Sequence, residues 1–205
     1  MTGRVAEPTS NKVGYVNHRF PVLTQTFTVG EIAELESVGV SLGIFSLRTP
    51  LGEPHGRVAT ELASRTRTLP GPLSLVSVRS VLGWTLRRPL IVARLLASVI
   101  AGRYRDQKFR CWIRSFAQFA QGAVLASVIE KEPEIRHLHA QFLDSGSTAA
   151  WVAARLTDRT FSFANHTAYN PYLTRPKLEA ARSVPSISDF DRERVLDEGG
   201  RQHED

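Results

Sequence analysis

Two apolar runs near the N-terminus, joined by a helix-length segment, constrain the fold of this chain more than any other feature. KVGYVN, residues 12–17, is a short strand. From about Phe27 to Val38 the apolar positions Val29, Ile32, Ala33 and Leu35 recur at helical spacing. VSLGIFSL, residues 40–47, is almost continuously apolar, as expected of a strand covered on both faces. Strand, helix and strand within about 35 residues form a βαβ unit, with parallel strands and a right-handed crossover. Thr26 or Thr28 can cap the helix, Glu31 stands where a capping box would put it, and Gly39 ends it.

The same rhythm returns after Pro133. IRHLHAQF (135–142) reads as a strand, SGSTAAWVAARLT (145–157) as a helix capped by Ser145, and TFSFAN (160–165) as a further strand, followed by a loop. Between the two blocks, residues 48–72 are rich in Pro, Gly and Arg and read as a long connection with a short strand near its end. Residues 73–132 hold no convincing strand and read as helices over about 73–84, 88–102 and 108–131, with Pro89 in a first turn. The expected fold class is α/β: a single Rossmann-like, doubly wound parallel sheet, spanning 12–178, with a helical insertion at about 73–132. Residues 1–11 read as a flexible N-terminus, and 179–205 as a polar tail or a shortened interdomain linker. No internal repeat is evident. Ligands of such sheets bind at the carboxyl ends of the strands, here HRFPVLTQT, SLRTP, FLDSGS and NHTAYN.

A hydrophobic content of 42% over 205 residues supports one packed core. The 26 basic and 20 acidic residues leave a net charge of +6. That charge suits nucleic acid, an anionic membrane face or a phosphorylated ligand without choosing among them. Cys111, the single cysteine, sits beside Trp112 in an expected helix and reads as a buried structural thiol in a reducing compartment. The first residues lack the apolar core of a signal peptide. The longest apolar stretch, 89–102, is interrupted by Arg94 and too short to span a bilayer. The expected location is cytoplasmic.

There is no Walker loop, no strand-borne G-x-G-x-x-G and no G-x-S-x-G elbow, so the chain is not an obvious P-loop NTPase or dinucleotide oxidoreductase, and the α/β choices narrow. His137 and His139 alternate on one strand and share a face, but no third soft ligand lies near them, so zinc is disfavoured. His166 immediately follows a strand at its ligand-binding end. A histidine there can hydrogen-bond a phosphate or sugar hydroxyl or move a proton; it can equally be an exposed loop residue. Residues 86–105 join an aliphatic body to Arg87, Arg88, Arg94, Arg103 and Arg105. Such a helix can lie in an anionic membrane interface or be an ordinary surface helix of an Arg-rich protein. The clustering of arginines at its ends disfavours nucleic acid.

FPVLTQTFTVGEIAELESVGVSLGIFSLRTP resembles the N-terminal signature of group-1 (family 4) glycosyltransferases. Phe20, Pro21, Thr24, Gln25, Thr26, Phe27, Glu31 and Ile32 fit the phrase F-P-x-x-S-[EQ]-T-F-x-x-x-E-I, and Phe45, Ser46, Leu47 and Arg48 fit a strand ending F-S-L-R. HLHAQFLDSGSTAAWVAARLTDRTFSFANHTAYN is similar to that family's H-x-H-A-H-F…G-x-x-F-S-F-T-x-H-x-x-D. The resemblance covers about residues 12–172. It departs from the family at Gln141 (His is usual), Ala164 (Thr is frequent) and Tyr169 (Asp is usual).

The resemblance implies one half of a GT-B fold, the acceptor-binding half of a retaining, nucleotide-sugar-dependent transferase for polysaccharide or lipid-linked glycan synthesis. It implies His166 as the catalytic residue and Thr24, Gln25, Thr26 and His139 as substrate-binding residues. No metal or resident cofactor is expected. The sequence ends at residue 205 without a donor-binding domain, so the nucleotide-sugar is expected only with a partner chain carrying that domain, and the half is expected to be inactive alone. Arg87, Arg88 and Arg94 are the expected membrane contacts, at the inner membrane face. The alternative is a non-catalytic module that binds a glycan or lipid carrier, or regulates a transferase. Nucleic acid is the least expected partner.

Overall fold

A computed structural model describes residues 12–22, 26–50, 52–101, 109–165, 174–186, 188 and 192–193, and only the backbone of 109–112. Five strands form one all-parallel sheet in the order β3-β2-β1-β4-β5: β1 Lys12–Arg19, β2 Ser41–Arg48, β3 Arg67–Thr68, β4 Ile135–Ala140 and β5 Thr160–Phe163. Seven helices accompany them among the described residues: α1 Thr26–Ser37, α2 Arg57–Arg65, α3 Leu75–Arg87, α4 Pro89–Ala101, α5 Phe109–Ile129, α6 Ser145–Thr157 and α7 Thr174–Ala180. The α/β class, the parallel sheet and the helical insertion are as the sequence predicts, and the arrangement is consistent with a Rossmann-like fold.

Alternation along the strands divides the core in two. Tyr15, Leu42 and Ile44 pack with Ile32 of α1 and Leu62 of α2. Val16, Phe45, Leu47, Leu138 and Ala140 join the larger core built by α3, α4, α5 and α6. The chain turns from one face to the other between β1 and β4, which places the switch point of the sheet there. Helix α5 crosses closely over α6 at Gly122. A Cβ built on Gly122 would lie 2.6 Å from Val152 Cβ and 2.9 Å from the Ala149 carbonyl, so only glycine fits. Trp84 fastens α3 to α5 by donating its indole N–H to the Ala123 carbonyl and the Ser127 hydroxyl.

Several local expectations change. Gly39 ends α1 as predicted, in a Schellman arrangement with Gly39 N bonded to Glu36 O and Val40 N to Leu35 O. The capping box is absent. The helix already begins at Thr26, Thr28 is buried within it, and Glu31, a turn further on, points its carboxylate at other side chains. Helix α6 begins where predicted, but its cap is Asp144, which accepts from Gly146 N at 2.7 Å; Ser145 Oγ instead accepts from Gln118. The long connection 48–72 contains α2 as well as the short β3. The last predicted strand, 160–165, ends at Phe163, and Asn165 forms an isolated bridge to Ser186. Residues 181–186 dock beside β5, with Arg182 N bonded to Phe161 O and Asn165 N to Pro185 O. No helix among the described residues is long and apolar enough to cross a membrane.

Candidate functional site

The carboxyl ends of β1, β2 and β4 carry a concentration of polar side chains that packing alone does not require. On the α1 side, the Tyr15 hydroxyl faces Glu31 Oε1 at 3.0 Å and the amide oxygen of Gln141, while Gln141 Nε2 donates to Glu31 Oε2 at 2.7 Å. Burial, and then the charge of Glu31, push the Tyr15 phenol far above its ordinary range, so it remains a proton donor. His139 leans on the Tyr15 ring, with centroids 5.3 Å apart. Phe27 meets Phe142 edge to face beside the start of α1. Phe20 N donates to Ser46 Oγ, which donates to the Arg48 carbonyl, locking the ends of β1 and β2 together.

His137 and His139 do share a face, as predicted. Ser162 Oγ lies 2.7 Å from His137 Nε2 and 2.8 Å from His139 Nδ1, and Thr160 Oγ1 lies 2.7 Å from His137 Nδ1. The pair is thus joined through β5 hydroxyls. No group of three metal-ligating side chains exists among the described residues.

The start of α6 is pressed against β1. A Cβ on Gly146 would lie 3.1 Å from His18 N and 3.2 Å from Asn17 C, tighter than nearly all real contacts. Behind this turn lies Lys177 of α7, fully buried, with Nζ 3.0 Å from Ser147 Oγ and 3.3 Å from Thr148 Oγ1. Burial lowers its ammonium to about 7, although the nearby Asp144 carboxylate draws it back up. Burial likewise raises Asp144 to about 6, against the Gly146 N–H bond and the charge of Lys177. Asn17 is 2% exposed, and neither atom of its amide has a partner among the described residues; nor does His18 Nδ1. Burial, then Arg48, Arg19 and Arg114, hold the His18 ring below its ordinary range and therefore neutral near pH 7.

Comparison with protein-family models, with curated proteins and with solved structures gives no match in any of the three.

The predicted site residues distribute unevenly over this geometry. Thr26 lines a cleft of about 240 Å³ with Pro21, Val22, Glu53, His55 and Arg57. His139 belongs to the Tyr15 cluster. Thr24, Gln25 and His166 lie outside the described residues, as does the Cys111 side chain. Of the arginines assigned to a membrane, Arg87 is paired with Glu130 and stacked 4.6 Å over Trp84, Arg88 is paired with Asp158, and Arg94 is exposed. The apolar residues Val92, Leu95 and Val99 of α4 are buried in the core rather than presented outward. Leu90 and Ile100 of α4 are exposed, and α3 presents a further exposed apolar face, where Leu75, Leu82 and Leu86 follow helical spacing.

Sequence reasoning missed Tyr15, Asn17, His18, Arg19, Asp144 and Lys177. Asp144 carried a signal, because it precedes a run of small residues that opens a helix. Lys177 carried none, since a lysine in a polar stretch reads as solvated.

Proposed function

We propose that this domain is the acceptor-binding half of a glycosyltransferase of the GT-B type, holding a glycan or lipid-linked acceptor at the carboxyl ends of β1 and β4. One observation carries the reading. The two phrases that resemble family-4 glycosyltransferases were read from segments more than 100 residues apart, yet their residues meet: Glu31 bonds Gln141 and Phe27 packs on Phe142. Within the first phrase, Phe20 also bonds Ser46. They meet beside the switch point, where an open parallel sheet binds ligands.

In this reading the Tyr15–Glu31–Gln141 cluster stiffens the floor of the cleft. Thr26 presents its hydroxyl to the sugar hydroxyls, and the family resemblance assigns Thr24 and Gln25 the same role. His139 supports the floor, and His166 serves as the polar group facing the reacting sugar. The donor nucleotide-sugar is held by a partner domain, and transfer needs both halves. A lipid-linked acceptor would arrive along an anionic membrane surface, and the arginine-rich helical insertion is the part of the domain suited to meet it.

The test is ligand-observed NMR of soluble oligosaccharides with the purified chain, followed by addition of a donor-binding domain and nucleotide-sugars. Saturation transfer to a glycan, lost in T26V, is expected. Absence of glycan binding together with absence of sugar transfer or nucleotide-sugar hydrolysis would sink the proposal. Glycan binding that persists without any transfer selects the non-catalytic module.

A further inference from the structure

Arg19 and Arg48 are register partners on neighbouring strands, the last residues of β1 and β2. Adjacent strands lie about 4.8 Å apart, so two guanidinium side chains leave the sheet edge side by side. Like charges in such positions oppose folding. Elsewhere the chain answers its arginines with carboxylates: Arg65 with Glu36, Arg67 with Glu132, Arg87 with Glu130, Arg88 with Asp158 and Arg175 with Glu179. Neither Arg19 nor Arg48 has a carboxylate partner among the described residues, nor has Arg114 of α5, the third cation that acts on the His18 ring. The two strand-end arginines open onto a cleft of about 390 Å³, within the usual size of ligand pockets. Thr49, Thr68 and Gln121 also line it, and Gln121 is fixed there by donating Nε2 to the Leu47 carbonyl at 2.8 Å.

We propose that Arg19 and Arg48 form a binding site for a phosphoryl group. The fork geometry of guanidinium matches phosphate oxygens, and two adjacent forks can grip one phosphomonoester or span a pyrophosphate. The Thr49 and Thr68 hydroxyls supply further donors at the cleft wall. A dianion there cancels the repulsion that the bare site carries. His18, neutral beside three cations, adds no positive charge of its own but reports on the occupant, because a bound dianion raises its proton affinity.

The site stands on its own geometry. It rests on the acceptor reading only for what the phosphoryl group belongs to, which is then a phosphorylated acceptor, either a soluble sugar phosphate or a lipid phosphate. The experiment is titration of the full chain at low ionic strength with inorganic phosphate and pyrophosphate, followed by calorimetry and by the His18 ring resonances. Saturable binding is expected, with an upward shift of the His18 pKa. R19Q and R48Q should each weaken binding by about tenfold or more, as expected for a lost charge-assisted contact. R155Q, which removes the same charge from an exposed position of α6, should leave it nearly unchanged. Urea midpoints of R19Q and R48Q at or above that of the parent show that both variants are folded. Glucose 1-phosphate and short-chain phosphatidic acid form two further arms, and the one whose binding depends on Arg19 and Arg48 names the source.

No binding by the parent chain, or equal loss in R155Q, overturns the site. So does binding of duplex DNA that depends on the same two arginines and outcompetes phosphate. Phosphate binding without any glycan binding leaves this site standing and removes the acceptor reading; the reverse outcome does the opposite.

Discussion

At the scale of single residues, the side chains that matter are polar ones held where solvent cannot reach. Tyr15 is the hinge of one such group. In Y15F, Glu31 and Gln141 keep their mutual bond but lose the phenolic donor. A buried acceptor left without a donor costs about 1–3 kcal/mol, so the urea midpoint should fall accordingly, with the helix content by circular dichroism unchanged. Lys177 gives a pH signature. The folded chain releases its proton at about 7, whereas the unfolded chain holds it to about 10.5. Between these values the unfolded state binds more protons, so the contribution of Lys177 to stability rises with pH across that window and is flat below it. Denaturation at pH 6.5, 7.5, 8.5 and 9.5 should show this rise in the parent chain and not in K177M. An equal slope in both would assign it to other groups.

At the scale of elements, legibility followed the length and continuity of the apolar pattern. Helix α6 was readable to the residue because small and apolar positions, broken only by Arg155, fill the thirteen residues between Asp144 and Asp158. Strands β1 and β2 were readable because each has a continuous buried run, and β4 because its apolar residues alternate with half-buried histidines. Helix α2 was not, since only Ala59 and Leu62 are buried within nine residues that otherwise look like loop. Helix α7 is seven residues long, with a proline and two cations, and only its burial of Lys177 and Leu178 against the rest of the domain makes it a helix. The strand ends were legible as polar segments, and of the residues singled out there Thr26 falls in a cleft and His139 beside Tyr15. It was illegible in its cations, because the opposition of Arg19 and Arg48 exists only once β1 and β2 are paired in register. The α5–α6 crossing supplies a test at this scale. G122A should gain about 1 kcal/mol of helix propensity, yet the clash with Val152 and Ala149 should outweigh it and leave a net loss of about 1–3 kcal/mol, read as a lower thermal midpoint. G30A, in the open on α1, should be neutral or stabilising.

At the scale of the whole molecule, charge is strongly segregated. Between Glu61 and Glu130 the sequence holds eleven lysines and arginines and one acid, Asp106; elsewhere the balance is slightly acidic. The same region presents the α3 leucines, with Leu75 81% and Leu86 84% exposed, next to Leu73 and Leu90. Leucines ringed by cations are the pattern that binds anionic bilayers. The doubly substituted L82E/L86E should keep the parent urea midpoint, because both side chains already face water, and should lose co-sedimentation with phosphatidylglycerol vesicles at low salt. Retained sedimentation would remove α3 from the membrane-facing part of the proposal. The docking of residues 181–186 beside β5 has a practical corollary. Those residues act as a selvedge, finishing a border that would otherwise be ready for another chain's strand. Anyone shortening this domain for expression, or fusing a reporter to it, should cut beyond Ser186. A boundary drawn where the sequence turns polar would unpick that hem.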